Sequence, residues 1–167
     1  MHHGRMFGVE INRDVKVTLH RFVDYFKGFE KIQAVREILG EDTERTLNNL
    51  KVEFYSSRRG YMGVSDQDGH ILISAHYLRN GDERDLYLDI IHELVHVKQF
   101  LEGKELFENR WEYVDRPTEV EAYQHAVKEA RRLGMTEKEI YGYLKTEWMS
   151  EDDLNKLADA VGVKVQL

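Results

Sequence analysis

Two histidines spaced for one helical turn, set in a stretch that is apolar at most positions, constrain this chain more than any other feature. His92-Glu93-Leu94-Val95-His96 is embedded among Leu86, Leu88, Ile90, Ile91, Val97, Phe100 and Leu101. Apolar residues at these intervals occupy most of the circumference of a helix, so the segment is expected to be packed on most of its sides. Two imidazoles and a carboxylate are costly to bury without partners. Either they are core groups satisfied by ordinary hydrogen bonds, or they share a ligand.

The spacing favours the shared ligand. Positions i and i+4 lie on one helical face with Cβ atoms roughly 5–6 Å apart. Two ring nitrogens can then meet one Zn²⁺ at about 2.0–2.1 Å. Glu93, about 100° around the helix from His92, can reach a water on the metal without itself being a ligand, which is the placement of a general base. This is the H-E-x-x-H arrangement of zinc-dependent hydrolases.

Composition removes several alternatives. The chain of 167 residues contains no cysteine, so thiolate zinc sites, disulfides and a cysteine nucleophile are excluded, and any metal must use nitrogen and oxygen donors. Lysine and arginine number 24 against 31 aspartates and glutamates, a net charge of −7. That balance argues against a nucleic-acid surface as the main business of the chain. No run of about 18 apolar residues is present, and the N-terminus has no basic-then-apolar signal pattern. The expected location is cytoplasmic, with no membrane span.

The apolar pattern predicts an α+β chain forming one domain, mainly helical, with a small sheet of three or more strands ahead of the motif helix. Val15, Leu19, Phe22, Val23, Phe26, Phe29, Ile32, Val35, Ile38 and Leu39 recur at helical spacing, which predicts one long helix, or two broken near Gly28. Thr43 is placed to cap a short helix through Leu50, completing a helical segment over 1–50. The period then changes. Lys51 to Tyr55, Tyr61 to Ser65 and His70 to Ser74 read as strands, the last two a hairpin about Asp66-Gln67-Asp68-Gly69. Asn80-Gly81-Asp82 supplies a loop and cap for the motif helix, which stops near Gly103. Lys104 to Pro117 reads as a long, aromatic-bearing loop. Thr118 opens a helix through Leu133, closing a central segment over 51–133. Thr136 with Glu139 and Ser150 with Asp153 cap two further helices within 134–167.

A catalytic zinc usually takes three protein ligands, so the downstream helix must supply one. The metzincin extension does not fit: Gln99 stands where its glycine belongs and Glu102 where its third histidine belongs. Glu119-Val120-Glu121-Ala122-Tyr123 offers two glutamates, and residues two apart on a helix cannot face one metal together. Here the chain resembles the gluzincins, in which H-E-x-x-H is followed by a ligand glutamate on a second helix. It is most similar to soluble minimal gluzincins and to catalytic domains related to the Ste24 and HtpX peptidases. Their E-x-x-A-D pattern carries the ligand role onto Glu119 and the small packing residue onto Ala122. Glu121 is the rival ligand and His125 a further candidate. Tyr123 stands where the pattern has aspartate, so another group must orient His92 or His96; Asp89, Asp115 and Tyr123 itself are the candidates.

The resemblance implies a zincin-like fold and a zinc metallopeptidase, with His92, His96 and Glu119 as metal ligands and Glu93 as the catalytic base acting on a peptide or protein substrate. An electrophilic helper for the oxyanion is expected among Tyr113, Tyr123 and His125. A strand edge beside the cleft would pair with extended substrate, and His70 to Ser74 is the strand assigned to it. The loop over 104–117, or the C-terminal helices, would cover the cleft. The alternative is a zincin scaffold without turnover, a zinc-stabilised interaction module.

Overall fold

The computed structural model describes residues 3–13, 18–146 and 148–164, with side chains from Phe7 onward. It is a mixed α+β fold with two small sheets. The first sheet holds β1 (His3–Met6), β2 (Val9–Asn12) and, after β3 (Leu19–Arg21) and the single turn α1 (Phe22–Tyr25), β4 (Phe26–Lys27). Its order is β1-β2-β4, antiparallel throughout.

The N-terminal helix predicted from Val15 to Leu39 is therefore corrected. Val15 lies outside the described residues, and Leu19 to Lys27 forms two strands around one helical turn. Only α2 (Gln33–Leu39) is helical for more than one turn. The three-to-four spacing of the aromatics is real, but it serves packing. Phe22 stacks on Phe26 at 4.8 Å between ring centroids and meets Phe29 edge-on at 5.7 Å, and all three are buried. Pairing of Phe26 with Ile11 and of Lys27 with Glu10 overrides the helical period. Gly28 permits the turn: its φ is +91°, and a Cβ there would lie 2.8 Å from the Gly8 carbonyl oxygen.

In α3 (Thr43–Asn49) the cap position is Asp42, not Thr43. Thr43 is the first helical residue, fully buried, and its hydroxyl donates to the Gly40 carbonyl. The second sheet follows with β5 (Lys51–Tyr55), β6 (Met62–Val64) and β7 (Ile71–Ser74), in the order β3-β5-β7-β6. β6 and β7 form the expected antiparallel hairpin, while β5 runs parallel to β7. β7 is thus interior, and the edge-strand role assigned to His70 to Ser74 passes to β6. The reason is the return of β5, which covers the other side of β7 and leaves β6 paired on one side only among the described residues.

Ser74 caps α4 (Ala75–Asn80), a helix the sequence did not announce. Asp82 then accepts from the backbone of Arg84 and Asp85 and starts α5 (Glu83–Leu101), which ends before Gly103 at φ +80°. After the long loop, whose only regular element is a 3₁₀ turn at Tyr113–Asp115, Pro117 takes the first position of α6 (Pro117–Arg132). α7 (Glu137–Leu144) opens on the Thr136–Glu139 capping box and α8 (Glu151–Ala160) on Ser150. α5 packs along α6 and against β6, which sets the motif between a helix and a sheet edge. Among the described residues no helix is long and apolar enough to cross a membrane.

Candidate metal centre

Twelve residues of α5 are buried, and His92, Glu93 and His96 are among them. Their donor atoms lie within 4.8 Å of one another, a buried group that can hold a metal ion. α6 adds a fourth side chain. Glu119 sits in its first turn, and its Oε1 lies 3.0 Å from His92 Nε2 and 2.9 Å from His96 Nε2, while the two nitrogens are 3.1 Å apart. A tetrahedral zinc with bonds of about 2.0–2.1 Å holds its ligands about 3.3 Å from each other. The three atoms thus converge at close to the separation such an ion imposes. Ala122, one turn along α6 from Glu119, is fully buried.

The rivals to Glu119 lie elsewhere. Glu121 accepts a hydrogen bond from Gln99 at 2.8 Å and lies 3.8 Å from Lys104. His125 is half-buried on another face of α6, where its charged neighbours are Glu121, Lys128, Glu37 and Lys98.

Gln99, not any of the three expected candidates, orients a histidine. Its Nε2 donates to the Thr118 carbonyl at 3.0 Å and to the Glu121 carboxylate, both of which can only accept. The amide is therefore fixed with Oε1 toward His96 Nδ1, 2.7 Å away, so that nitrogen must carry the proton. In a neutral His96 the lone pair then belongs to Nε2, the atom beside Glu119. The glutamine that marks the failure of the metzincin pattern is the signal for this role, because one helical turn separates it from His96. Of the expected orienters, Asp89 accepts from the Tyr77 and Tyr143 hydroxyls, and Asp115 is exposed. Tyr123 touches His92 with its ring, 4.3 Å between centroids and near edge-on. His92 Nδ1 is left buried without a hydrogen-bond partner among the described residues.

Electrostatics follow the geometry. Burial alone would raise the Glu119 carboxyl, but hydrogen bonds from both imidazoles hold it well below the usual carboxylate range. Burial lowers His92. The same burial is outweighed at His96, where the Glu119 hydrogen bond and the Glu93 charge push it up to about 9. A proton on His96 Nε2 therefore relieves the convergence when no cation does. Burial pushes Glu93 up to about 8, the carboxylates of Glu119 and Asp89 adding to the rise and His96 opposing it. A carboxyl in that range exchanges a proton near neutrality.

The group opens on a cleft with two halves. One, about 230 Å³, runs between Gly63 and Val64 of β6 and Leu106 and Phe107 of the long loop. The other, about 380 Å³, extends along α5 past Asp89. Met62, His92, Glu93, Tyr113 and Trp148 border both. The long loop and the α7–α8 connection thus wall the cleft, and Trp148 packs edge-on against Tyr113 at 4.7 Å. Tyr113 and Tyr123 meet hydroxyl to hydroxyl at 3.0 Å inside it. Compared with family models, curated proteins and solved structures, the chain matches none.

Proposed function

We propose that this protein is a zinc-dependent metallopeptidase of gluzincin type. The observation that carries the reading is the convergence of His92 Nε2, His96 Nε2 and Glu119 Oε1 within 3.1 Å, beside a buried Glu93. Two imidazole lone pairs and a carboxylate oxygen aimed at one point form a nitrogen–oxygen donor set suited to Zn²⁺, with three protein ligands and room for a fourth partner. Zinc bound there supplies a Lewis acid for the scissile carbonyl and makes water a stronger acid.

The chain's own residues supply the rest. Glu93 takes the proton of the attacking water and returns it to the leaving amine. Tyr113 and Tyr123 are the oxyanion candidates that share the cleft, and His125 leaves the set. β6, paired on one side only among the described residues, borders the cleft, and a Cβ at Gly63 at its centre would meet nothing within 4 Å. An extended peptide adding to that edge would lie across Glu93, with backbone hydrogen bonds supplying affinity.

The test compares metal content and cleavage of a broad peptide library before and after Glu93→Gln. The expected result is about one zinc per chain in both proteins, with turnover only in the parent. Equal zinc binding without cleavage by either protein would overturn the peptidase reading in favour of a silent, zinc-stabilised module.

A further inference from the structure

Beyond the reaction itself, the half of the cleft that extends along α5 has a character of its own. Asp85, Asp89 and Glu93 stand at i, i+4 and i+8, so they form one stripe along the helix, roughly 6 Å per step, leading away from the catalytic base. All three border the same 380 Å³ cavity. Its walls are tyrosine rings, Tyr61 and Tyr77 packed edge-on at 5.1 Å on one side and Tyr143 on another. Tyr77 and Tyr143 donate their hydroxyls to the two oxygens of Asp89, which fixes that carboxylate in the cavity wall. Asp85, half-buried, has no such clamp. Lys145 is the one cation bordering the cavity; it is exposed and makes no ion pair with either aspartate among the described residues.

The inner end of this cavity reaches the metal group. The His92 ring belongs to its wall, and His92 Nδ1 is buried with no hydrogen-bond partner among the described residues. Buried polar atoms are normally satisfied, by protein, water or ligand.

We propose that this cavity is a substrate subsite for a basic side chain, lysine or arginine, next to the scissile bond. The proposal rests on the peptidase reading and names the substrate class for it. Asp89 stands one turn and Asp85 two turns from the base, so a long basic side chain flanking the bond being cut passes the clamped Asp89 and extends toward Asp85. Aromatic faces accept the alkyl stem and the cation together. An apolar side chain of the same length would strip water from Asp85 and Asp89 and return nothing, and an acidic one would add repulsion. The other half of the cleft, between Val64, Leu106 and Phe107, has no carboxylate in its wall beyond Glu93 and Glu119 of the metal group and suits an apolar neighbour.

The test is binding to Glu93→Gln protein, measured by calorimetry with matched peptides. Each contains one leucine flanked on one side by arginine, norleucine or glutamate, in both orders. In one order the arginine peptide is expected to bind at least tenfold more tightly than the norleucine peptide and the glutamate peptide more weakly still. Asp85→Asn should cut that preference at least threefold, and Asp85→Lys should abolish it. Binding of none of the peptides, equal binding of all three, or a preference that survives Asp85→Lys overturns the subsite. The two readings separate cleanly. Selective binding without cleavage by the parent protein leaves a pocket for a basic side chain and removes the peptidase, whereas cleavage indifferent to the basic residue keeps the peptidase and removes the pocket.

Discussion

Glu119 and Glu129 are both buried on α6, ten residues apart, and they are satisfied in opposite ways. Glu129 brings its own permanent cation: Arg132, three residues on, donates Nε and a second guanidinium nitrogen to its two oxygens at 2.5 and 2.7 Å, and the Tyr87 hydroxyl completes the set. Among the described residues Glu119 has no lysine or arginine partner. Its partners are two imidazoles that are themselves buried, one pushed up and one pushed down in proton affinity. A carboxylate built for structure carries its counter-charge in the chain. One whose counter-charge depends on a proton is poised to exchange that proton for a metal ion.

The largest expected effect follows from this contrast. Glu119→Gln should weaken zinc binding by about a thousandfold or more, since one of three protein ligands is lost. It should destabilise the metal-free protein less than Glu129→Gln does, because imidazoles left without the carboxylate can become neutral whereas Arg132 cannot. Glu129→Gln should do the reverse, leaving zinc affinity within about twofold and lowering stability by about 2 kcal/mol through the loss of charged hydrogen bonds. Calorimetric titration with zinc and thermal unfolding in chelator measure the two quantities. If Glu119→Gln destabilised the metal-free fold as much as Glu129→Gln, both carboxylates would be structural.

The intermediate effect concerns Gln99. Gln99→Leu preserves volume but removes the acceptor that fixes the Nδ1 proton of His96, together with the amide's bonds to the Thr118 carbonyl and the Glu121 carboxylate. A loss of about 10–100-fold in zinc affinity is expected, in line with other groups that orient a ligand histidine. Glu121→Ala, which touches the centre only through the Gln99 amide, should change it less than about threefold. A Gln99→Leu protein with unaltered affinity would show that packing alone orients His96.

These cases mark what the sequence made legible. His92, Glu93 and His96 could be read because helical spacing alone places them, and Glu119 because a second helix was needed and one pattern fitted. Gln99 was hidden, since its role depends on the Thr118 carbonyl of another helix holding the amide in one orientation. In the fold, the hairpin, the Asp82 cap and the Thr136 capping box are local and were legible. The N-terminal strands were not, because Phe22, Phe26 and Phe29 have a helical period and only pairing with β2 decides against a helix. The identity of the edge strand failed for the same reason: the parallel return of β5 onto β7 is a long-range choice with no local signature.

The smallest expected effect on metal binding is at Tyr123, the residue that departs from the borrowed pattern. An aspartate there would act through a hydrogen bond to an imidazole, whereas Tyr123 meets His92 by a near edge-on ring contact and sends its hydroxyl to Tyr113. Tyr123→Phe keeps the ring and removes only the hydroxyl, so zinc affinity should stay within about twofold. Turnover discriminates further. If the paired hydroxyls assist the oxyanion, kcat should fall by about tenfold or more while KM holds, the signature of a contact made only in the transition state. An unchanged kcat would leave the pair as packing. A fall in zinc affinity beyond tenfold would mean that the hydroxyl, not the ring, keeps His92 in place, and the contrast between a histidine held by an amide and one held by packing would dissolve.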